Sequence, residues 1–170
     1  MTPNSRATPA TPPALARLMT GLGFAGLIPF VLPVILLIDF RWLEISPAFV
    51  NQWAHHLPHL FLSYSVIIFS FLAGTLFTLA LRIKDPKLAV KAVILSNLLA
   101  LMAWVLLLLV FVEFNLVFVA LPLLMIGYGL LLWIEYKSDA VEATYLRMRV
   151  RLSTGVICLH GLMLLMLMRW

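Results

Sequence analysis

A single histidine inside an apolar run is the side chain in this sequence most suited to chemistry. His160 lies midway along the uncharged stretch Leu152–Met168, and an ionisable residue at such a depth is a candidate functional site. Tyr128 and Thr75 lie at matching depths in other apolar stretches, with Asn97 nearer one end. These four residues predict a polar cluster that stabilises a helix bundle or relays a proton. The simpler alternative, which we favour, is a neutral histidine hydrogen-bonded to one neighbour.

Three further histidines, His55, His56 and His59, lie close together between two apolar stretches. Pro58 interrupts the regular helical spacing that paired ligands need, and no cysteine or carboxylate is adjacent. We therefore predict no metal site here. Histidines facing water at a membrane interface are the expected alternative.

The glycines of the segment Gly21–Gly26 match the pattern G-x-G-x-x-G. A dinucleotide site would need a preceding strand and a βαβ unit, and the surrounding residues are apolar instead. Small residues favour close packing of helices in a membrane. The pattern predicts packing faces on two helices, made of Gly21, Ala25, Ser70, Gly74 and Thr78. Because no catalytic, cofactor or metal motif is found, we expect no enzymatic activity and no cofactor.

The composition requires a nonpolar environment for the chain. Hydrophobic residues make up 64% of the 170 positions and charged residues 11%, with a mean hydropathy of +1.07. A soluble domain is roughly half apolar and about a quarter charged. The lipid bilayer is thus the expected partner. The net charge of +5 does not indicate nucleic-acid binding, because the basic residues form short clusters between apolar stretches.

Uncharged runs place five membrane spans along the chain. A helix needs roughly 20 residues to cross the hydrocarbon core. The runs predict an all-α, polytopic membrane helical bundle with five transmembrane helices, at about residues 18–38, 60–81, 88–112, 115–134 and 152–168. Residues 1–17, rich in Pro, Thr and Ala, are predicted to be a disordered cytoplasmic tail, and residues 18–170 a single domain.

Local signals mark the ends of several helices. Asp85 and Pro86 predict an N-cap and first turn, and the chain must turn tightly near Glu113–Asn115. Ser46–Leu57 has the pattern of a short interfacial helix. Asp139 with Glu142 resembles a capping box before the last span. Three prolines inside the spans are expected to bend their helices: Pro29, Pro33 and Pro122.

The basic residues give the orientation. Ten of the twelve lie in the N-terminal tail, the second connection and the fourth connection, which predicts that these segments face the cytoplasm. We therefore expect a bacterial inner-membrane protein with a cytoplasmic N-terminus and a periplasmic C-terminus. An acid-free tail with Arg, Ser and Thr leaves the mitochondrial inner membrane as an alternative. The main topology anchors are Arg82, Lys84, Lys87, Arg147, Arg149 and Arg151.

Three segments together resemble bacterial domain-of-unknown-function family 3429, which is related to mitochondrial transmembrane protein 69. They are LGFAGLIPFVLPVILL, YSVIIFSFLAGTLFTLAL and YLRMRVRLSTGVI. The chain departs from the family where two glycines, a polar residue and a tryptophan are usual, and has Ala73, Gly74, Leu76 and Phe77. The resemblance implies a small helical bundle of the inner membrane and supplies no activity.

Three classes of function fit these observations unequally. A structural or assembly protein that binds other membrane proteins, or a second copy of itself, needs only small-residue faces. A small transporter or channel subunit working as an oligomer would need lining groups for a polar substrate, and the spans contain few. An enzyme would need paired titratable groups. We therefore expect the first class.

Overall fold

The computed structural model describes residues 13–43, 52–83, 85–137 and 143–169. Within these ranges the chain forms helices joined by turns and contains no strand, which confirms the all-α class for this part of the protein. Six α-helices follow in order: α1 (Pro13–Ala25), α2 (Ile28–Ile38), α3 (Leu57–Ala80), α4 (Pro86–Val112), α5 (Val117–Lys137) and α6 (Ala143–Met168).

Five helical segments are long and apolar enough to cross a membrane. They are Arg17–Ile38, Ala54–Ala80, Pro86–Val112, Phe114–Lys137 and Ala143–Met168. The helices that begin furthest ahead of their predicted spans are α1 and α6. α1 starts at Pro13, inside the stretch predicted as a tail, and residues 1–12 lie outside the described part. α6 starts at Ala143, directly after the predicted capping box, and its first turns lead into the uncharged run that begins at Leu152.

The first of these segments is broken where α1 meets α2. Pro29 has no N–H to donate to the Ala25 carbonyl, and its ring would collide with that carbonyl in a continuous helix. The chain instead makes a turn at Gly26 and Leu27, and the Phe30 N–H bonds to the Leu27 oxygen. The Gly26 oxygen accepts a bond from the Tyr64 hydroxyl at 2.9 Å. The predicted bend is thus a break, and its carbonyl is satisfied by a neighbouring helix.

α3 is the central helix of the bundle. It packs most extensively on α4 and also contacts α2 and α5, while α6 packs on α5 and α2. Half of the α3 residues are buried, and the Phe61 and Phe69 side chains are completely enclosed. The Ser96 hydroxyl of α4 donates to the Ala73 oxygen of α3 at 2.7 Å. α3 therefore contacts helices on several sides, and a hydrogen bond adds to its packing on α4.

Two connections form as the sequence predicts. The Asp85 carboxylate accepts from the Lys87 N–H at 3.0 Å, capping α4 with Pro86 in its first turn. Glu113 adopts an extended conformation between α4 and α5 and accepts bonds from Asn115, which closes a tight hairpin. Residues 44–51 and 138–142 lie outside the described part, and with them most of the predicted interfacial helix and capping box.

Candidate functional site

A neutral hydrogen-bond network lies in the middle of the bundle and joins α3, α5 and α6. His160 is fully buried, with its Nε2 atom 2.7 Å from the Ser65 hydroxyl and its Nδ1 atom 2.9 Å from the Val156 oxygen. Because a carbonyl can only accept, Nδ1 carries the proton and Nε2 accepts from Ser65. The Tyr128 hydroxyl donates to the Ser65 backbone oxygen at 2.8 Å. We call Ser65, Tyr128 and His160 the neutral layer.

Aromatic rings surround this layer. The His160 ring centroid lies 4.8 Å from that of Phe61, 5.5 Å from that of Tyr128 and 5.7 Å from that of Phe30. The Tyr128 ring also packs edge-on against Phe69, at 5.2 Å. Each donor in the network has an acceptor, and the rings exclude water from the imidazole. These hydrogen bonds can fix the positions of α3, α5 and α6 relative to one another.

A second, charged network joins the same three helices near the end of α5. The Arg149 guanidinium donates from Nε and Nη2 to the two carboxylate oxygens of Glu135, at 2.9 and 2.8 Å. Both residues are 5% exposed. The Thr75 hydroxyl lies 2.9 Å from the nearer Glu135 oxygen and 2.7 Å from the Leu72 carbonyl. We call Thr75, Glu135 and Arg149 the charged layer.

The two layers are well separated along the helices. Thr75 follows Ser65 by ten positions on α3, and His160 follows Arg149 by eleven positions on α6. Both differences correspond to about 15 Å at 1.5 Å per residue. A buried, bidentate guanidinium–carboxylate pair fixes geometry as well as charge. The bundle therefore has two polar cross-links with different chemistry at different depths.

The predicted cluster is distributed over three places. The structure brings His160 and Tyr128 together through Ser65, a residue outside the predicted cluster. Thr75 belongs to the charged layer. Asn97 has an exposed side chain whose amide donates to the Val93 oxygen of its own helix at 3.0 Å. Depth along a span places His160 and Tyr128 at the same level. It does not give the direction in which a side chain points.

Glu135 and Arg149 were not expected at a buried site. Arg149 was grouped with Arg147 and Arg151 as a topology anchor, and these two are exposed while Arg149 is buried. The helical periodicity of α6 distinguishes Arg149 from Arg147 and Arg151, because the buried face of a helix recurs every three or four residues. That face contains Arg149, Ser153, Val156, His160, Met163 and Leu167. Of the other predicted anchors, Arg82 and Lys87 are exposed, and Lys84 lies outside the described residues.

The three histidines predicted to face water lie at or just before the start of α3, apart from the two buried networks. His59 packs between Phe111 and Phe114, with ring centroids 5.2 and 5.3 Å away. His55 and His56 are exposed. Among the described residues, no group of three His, Cys, Asp or Glu side chains is placed to hold a metal ion.

The glycines that permit close packing differ from the predicted ones. A Cβ atom added at Gly23 would lie 2.8 Å from Leu152 Cδ1 of α6, and one at Gly127 would lie 2.7 Å from the Phe69 ring of α3. No atom of a neighbouring helix in the described part of the chain lies within 4 Å of the same point at Gly21 or Gly74. The predicted faces around Gly21 and Gly74 thus point away from the packed helices of this chain.

Over the described residues, the fold and these networks define a class: an all-helical protein with five helical segments long and apolar enough to cross a membrane, linked by polar layers. The chain belongs to the family described as "Protein of unknown function (DUF3429)", whose model matches residues 15–165. This agrees with the resemblance found in the sequence. A comparison with curated proteins gives no match, and a comparison with solved structures gives none either.

Proposed function

We propose that this protein is an integral protein of the bacterial inner membrane that acts as a structural or assembly component by binding other membrane proteins. Its five apolar helices would cross the bilayer with the N-terminus in the cytoplasm and the C-terminus in the periplasm. The distribution of basic residues supports this orientation, as ten of twelve lie on one side. The mitochondrial inner membrane, with the same side facing the matrix, is the alternative location.

The outward-facing small residues of α3 carry the proposal. Gly74 and Thr78 are exposed, Ser70 is half-buried, and nothing within the described chain approaches a Cβ position at Gly74. In lipid, helices associate mainly through van der Waals packing, which small residues spaced four apart strengthen by letting backbones approach. Gly21 and Ala25 of α1 are also exposed. A helix of another protein can pack where this chain leaves its small residues uncovered.

The buried polar groups favour this function over transport. A substrate pathway needs polar groups that bind the substrate. Here Tyr128 and His160 each bond to Ser65, and Glu135 bonds to Arg149. The second candidate is a small transporter or channel subunit working as an oligomer. It is supported by the depth of His160, since ionisable residues at mid-membrane often serve ion pathways. No enzymatic reaction is assigned.

The decisive experiment is crosslinking in living cells, followed by purification in a mild detergent and mass spectrometry of the bound proteins. We expect a stoichiometric membrane-protein partner, and we expect Gly74→Leu to remove it by blocking close approach. Ile126→Trp is the matched control, because Ile126 is exposed on α5, outside the small-residue faces.

Two results would overturn the assembly function. One is purification of the protein alone or only as a homo-oligomer; the other is a partner retained equally by Gly74→Leu and the wild type. Transport assays in liposomes would then test the second candidate, with His160→Leu as the inactive variant. Full activity of His160→Leu would eliminate a proton relay through this histidine.

A further inference from the structure

Asn97 is a polar residue on the outer face of α4. Its side chain is exposed, whereas that of the neighbouring Ser96 is buried and donates to the Ala73 oxygen of α3 at 2.7 Å. Asn97 therefore lies outside the contact between α3 and α4. It follows Ala92, the first residue of an uncharged run, by five positions, or about 8 Å along the helix. If α4 crosses a bilayer, this amide faces hydrocarbon.

Part of the hydrogen-bonding capacity of this amide is unused. The Nδ2 group of an asparagine carries two hydrogens, and here it donates to the Val93 oxygen of the same helix at 3.0 Å. One hydrogen and the Oδ1 atom are left without a partner among the described residues. Hydrocarbon contains no water to bond them, and the side chain is too short to extend to the head groups as lysine does. A donor and an acceptor at the same depth would satisfy both groups.

The surface around Asn97 has the residue spacing of a helix–helix contact. Val90, Ile94, Leu101 and Trp104 are all more than half exposed. Together with Asn97 they follow one another at alternating spacings of four and three positions, which is the contact line of two helices in a left-handed coil. The four apolar residues would suit lipid equally well, and it is the asparagine that favours a partner. A single asparagine in such a line sets the register of two helices.

We propose that two copies of this protein form a parallel dimer through α4, with the two Asn97 side chains bonded to each other. An asparagine amide is self-complementary, because it carries a donor and an acceptor side by side. About a two-fold axis, Nδ2 of each Asn97 donates its second hydrogen to Oδ1 of the other, while the bond to Val93 is kept. One contact thereby satisfies both unused groups.

A second copy fits this position better than other occupants of a membrane. Copies that insert in the same orientation carry Asn97 at the same depth, whereas a different protein would need a suitable side chain at that level. Acyl chains offer neither a donor nor an acceptor. Asparagine side chains hydrogen-bond across helices in membranes. The contact uses the same surface on both copies, so the assembly closes at two.

The dimer goes beyond the proposed binding of other proteins at Gly74 and uses a different helix. It requires a membrane location, but it fits either of the two candidate functions. Gly74→Leu should leave the dimer unchanged, and Asn97→Leu should keep any protein bound at Gly74. A dimer without another bound protein would overturn the assembly function and support this inference.

The dimer is tested by Förster transfer between donor-labelled and acceptor-labelled full chains in liposomes, diluted stepwise with lipid. We expect transfer that falls on dilution as a monomer–dimer equilibrium predicts. Asn97→Leu should raise the dissociation constant about tenfold, equivalent to roughly 1.4 kcal/mol, because both amide bonds are lost. Asn97→Gln keeps an amide and should retain most of the association. Thr154→Val is the control, since it also removes a polar group from an exposed position in an apolar span.

Disulfide crosslinking locates the contact on α4. Cys158 is exposed and is first replaced with Ala. In that background Ile94→Cys and Leu101→Cys, on either side of Asn97, should each form a covalent dimer under mild oxidation. Ile67→Cys is the matched control, because Ile67 is similarly exposed but lies on α3.

Four outcomes would overturn the proposal. A monomeric chain at the highest protein-to-lipid ratio would remove the dimer altogether. Equal dissociation constants for Asn97→Leu and the wild type would show that the amide does not hold it. Disulfides from Ile67→Cys but not from Ile94→Cys would place the contact on another helix. A photoreactive side chain at position 101 that labels a different membrane protein instead of a second copy would assign Asn97 to that protein.

Discussion

The neutral and charged layers connect the same three helices, α3, α5 and α6, but they stabilise the bundle in different ways. In the neutral layer, Ser65, Tyr128 and His160 exchange hydrogen bonds in the middle of the helices. In the charged layer, Glu135 and Arg149 neutralise each other near the end of α5. Losing one hydrogen bond in a membrane costs little on average, about 0.6 kcal/mol. Losing one member of a buried ion pair costs several times more, because the remaining charge lacks its counter-charge.

The comparison predicts its largest effect at Arg149. Replacing Arg149 with Met should lower the free energy of unfolding by about 3–5 kcal/mol, because Glu135 loses the guanidinium that neutralises it. SDS titration in mixed micelles measures this quantity. The double variant Glu135→Gln with Arg149→Met should recover most of the loss. Arg151→Met, at an exposed position on the same helix, should stay within about 0.5 kcal/mol of the wild type. Equal effects of the two arginine substitutions would contradict a structural role for the pair.

The next largest loss of stability is expected from a substitution that disturbs the packing around the neutral layer. A methyl group at Gly127 would lie 2.7 Å from the Phe69 ring, which itself packs on Tyr128. Gly127→Ala should therefore destabilise the protein by about 2 kcal/mol, as overpacking typically does. At Gly129, no described residue outside its own helix backbone lies within 4 Å of the added methyl group. The same change should be neutral or stabilising there, since alanine favours a helix by up to about 1 kcal/mol. The pair is compared by unfolding in the same micelles.

His160 tests the hydrogen bonds of the neutral layer directly. His160→Leu should cost about 1 kcal/mol, because Ser65 loses its acceptor while the apolar contacts of the side chain are largely kept. A double-mutant cycle with Ser65→Ala should give a coupling of about 0.6 kcal/mol. A coupling near zero would show that the 2.7 Å contact is energetically unimportant.

Thr75 should give the smallest effect. Thr75→Val removes the hydroxyl that approaches Glu135 and leaves the ion pair in place. We expect a loss of about 0.6 kcal/mol, measured by the same titration with Thr78→Val as control, because Thr78 is exposed and bonds to its own helix at Gly74. A loss as large as that of Arg149→Met would mean that the threonine, not the guanidinium, holds the carboxylate.

The sequence alone predicts helix caps, turns and helical segments, because these depend on residues close together in the chain. Asp85 caps a helix through Lys87, two residues away, and Glu113 bonds to Asn115 at the same spacing. Apolar runs likewise indicate helices without any tertiary information. The sequence also gives approximate depth, which is why His160 and Tyr128 were associated correctly in space.

Rotation about each helix axis is what the sequence left undetermined. Gly21 and Gly23 are two residues apart, yet only Gly23 faces α6. Thr75 was matched to His160 by depth, but it meets Glu135 instead, on a helix sixty residues further along. Such pairings depend on which helices become neighbours and which faces they present. Local patterns do not contain that information for a chain whose surface and interior are both apolar.

The ion pair also has a consequence for the synthesis of the chain. Glu135 leaves the ribosome with α5, fourteen residues before Arg149, so for a short interval the carboxylate is outside the ribosome without its partner. In a membrane, its position two residues from the end of α5 would keep it close to water during this interval. A chain truncated before Arg149 would keep a carboxylate without its guanidinium, and its other helices would be held less firmly. The protein therefore reaches its full stability only after α6, which carries Arg149, has been synthesised.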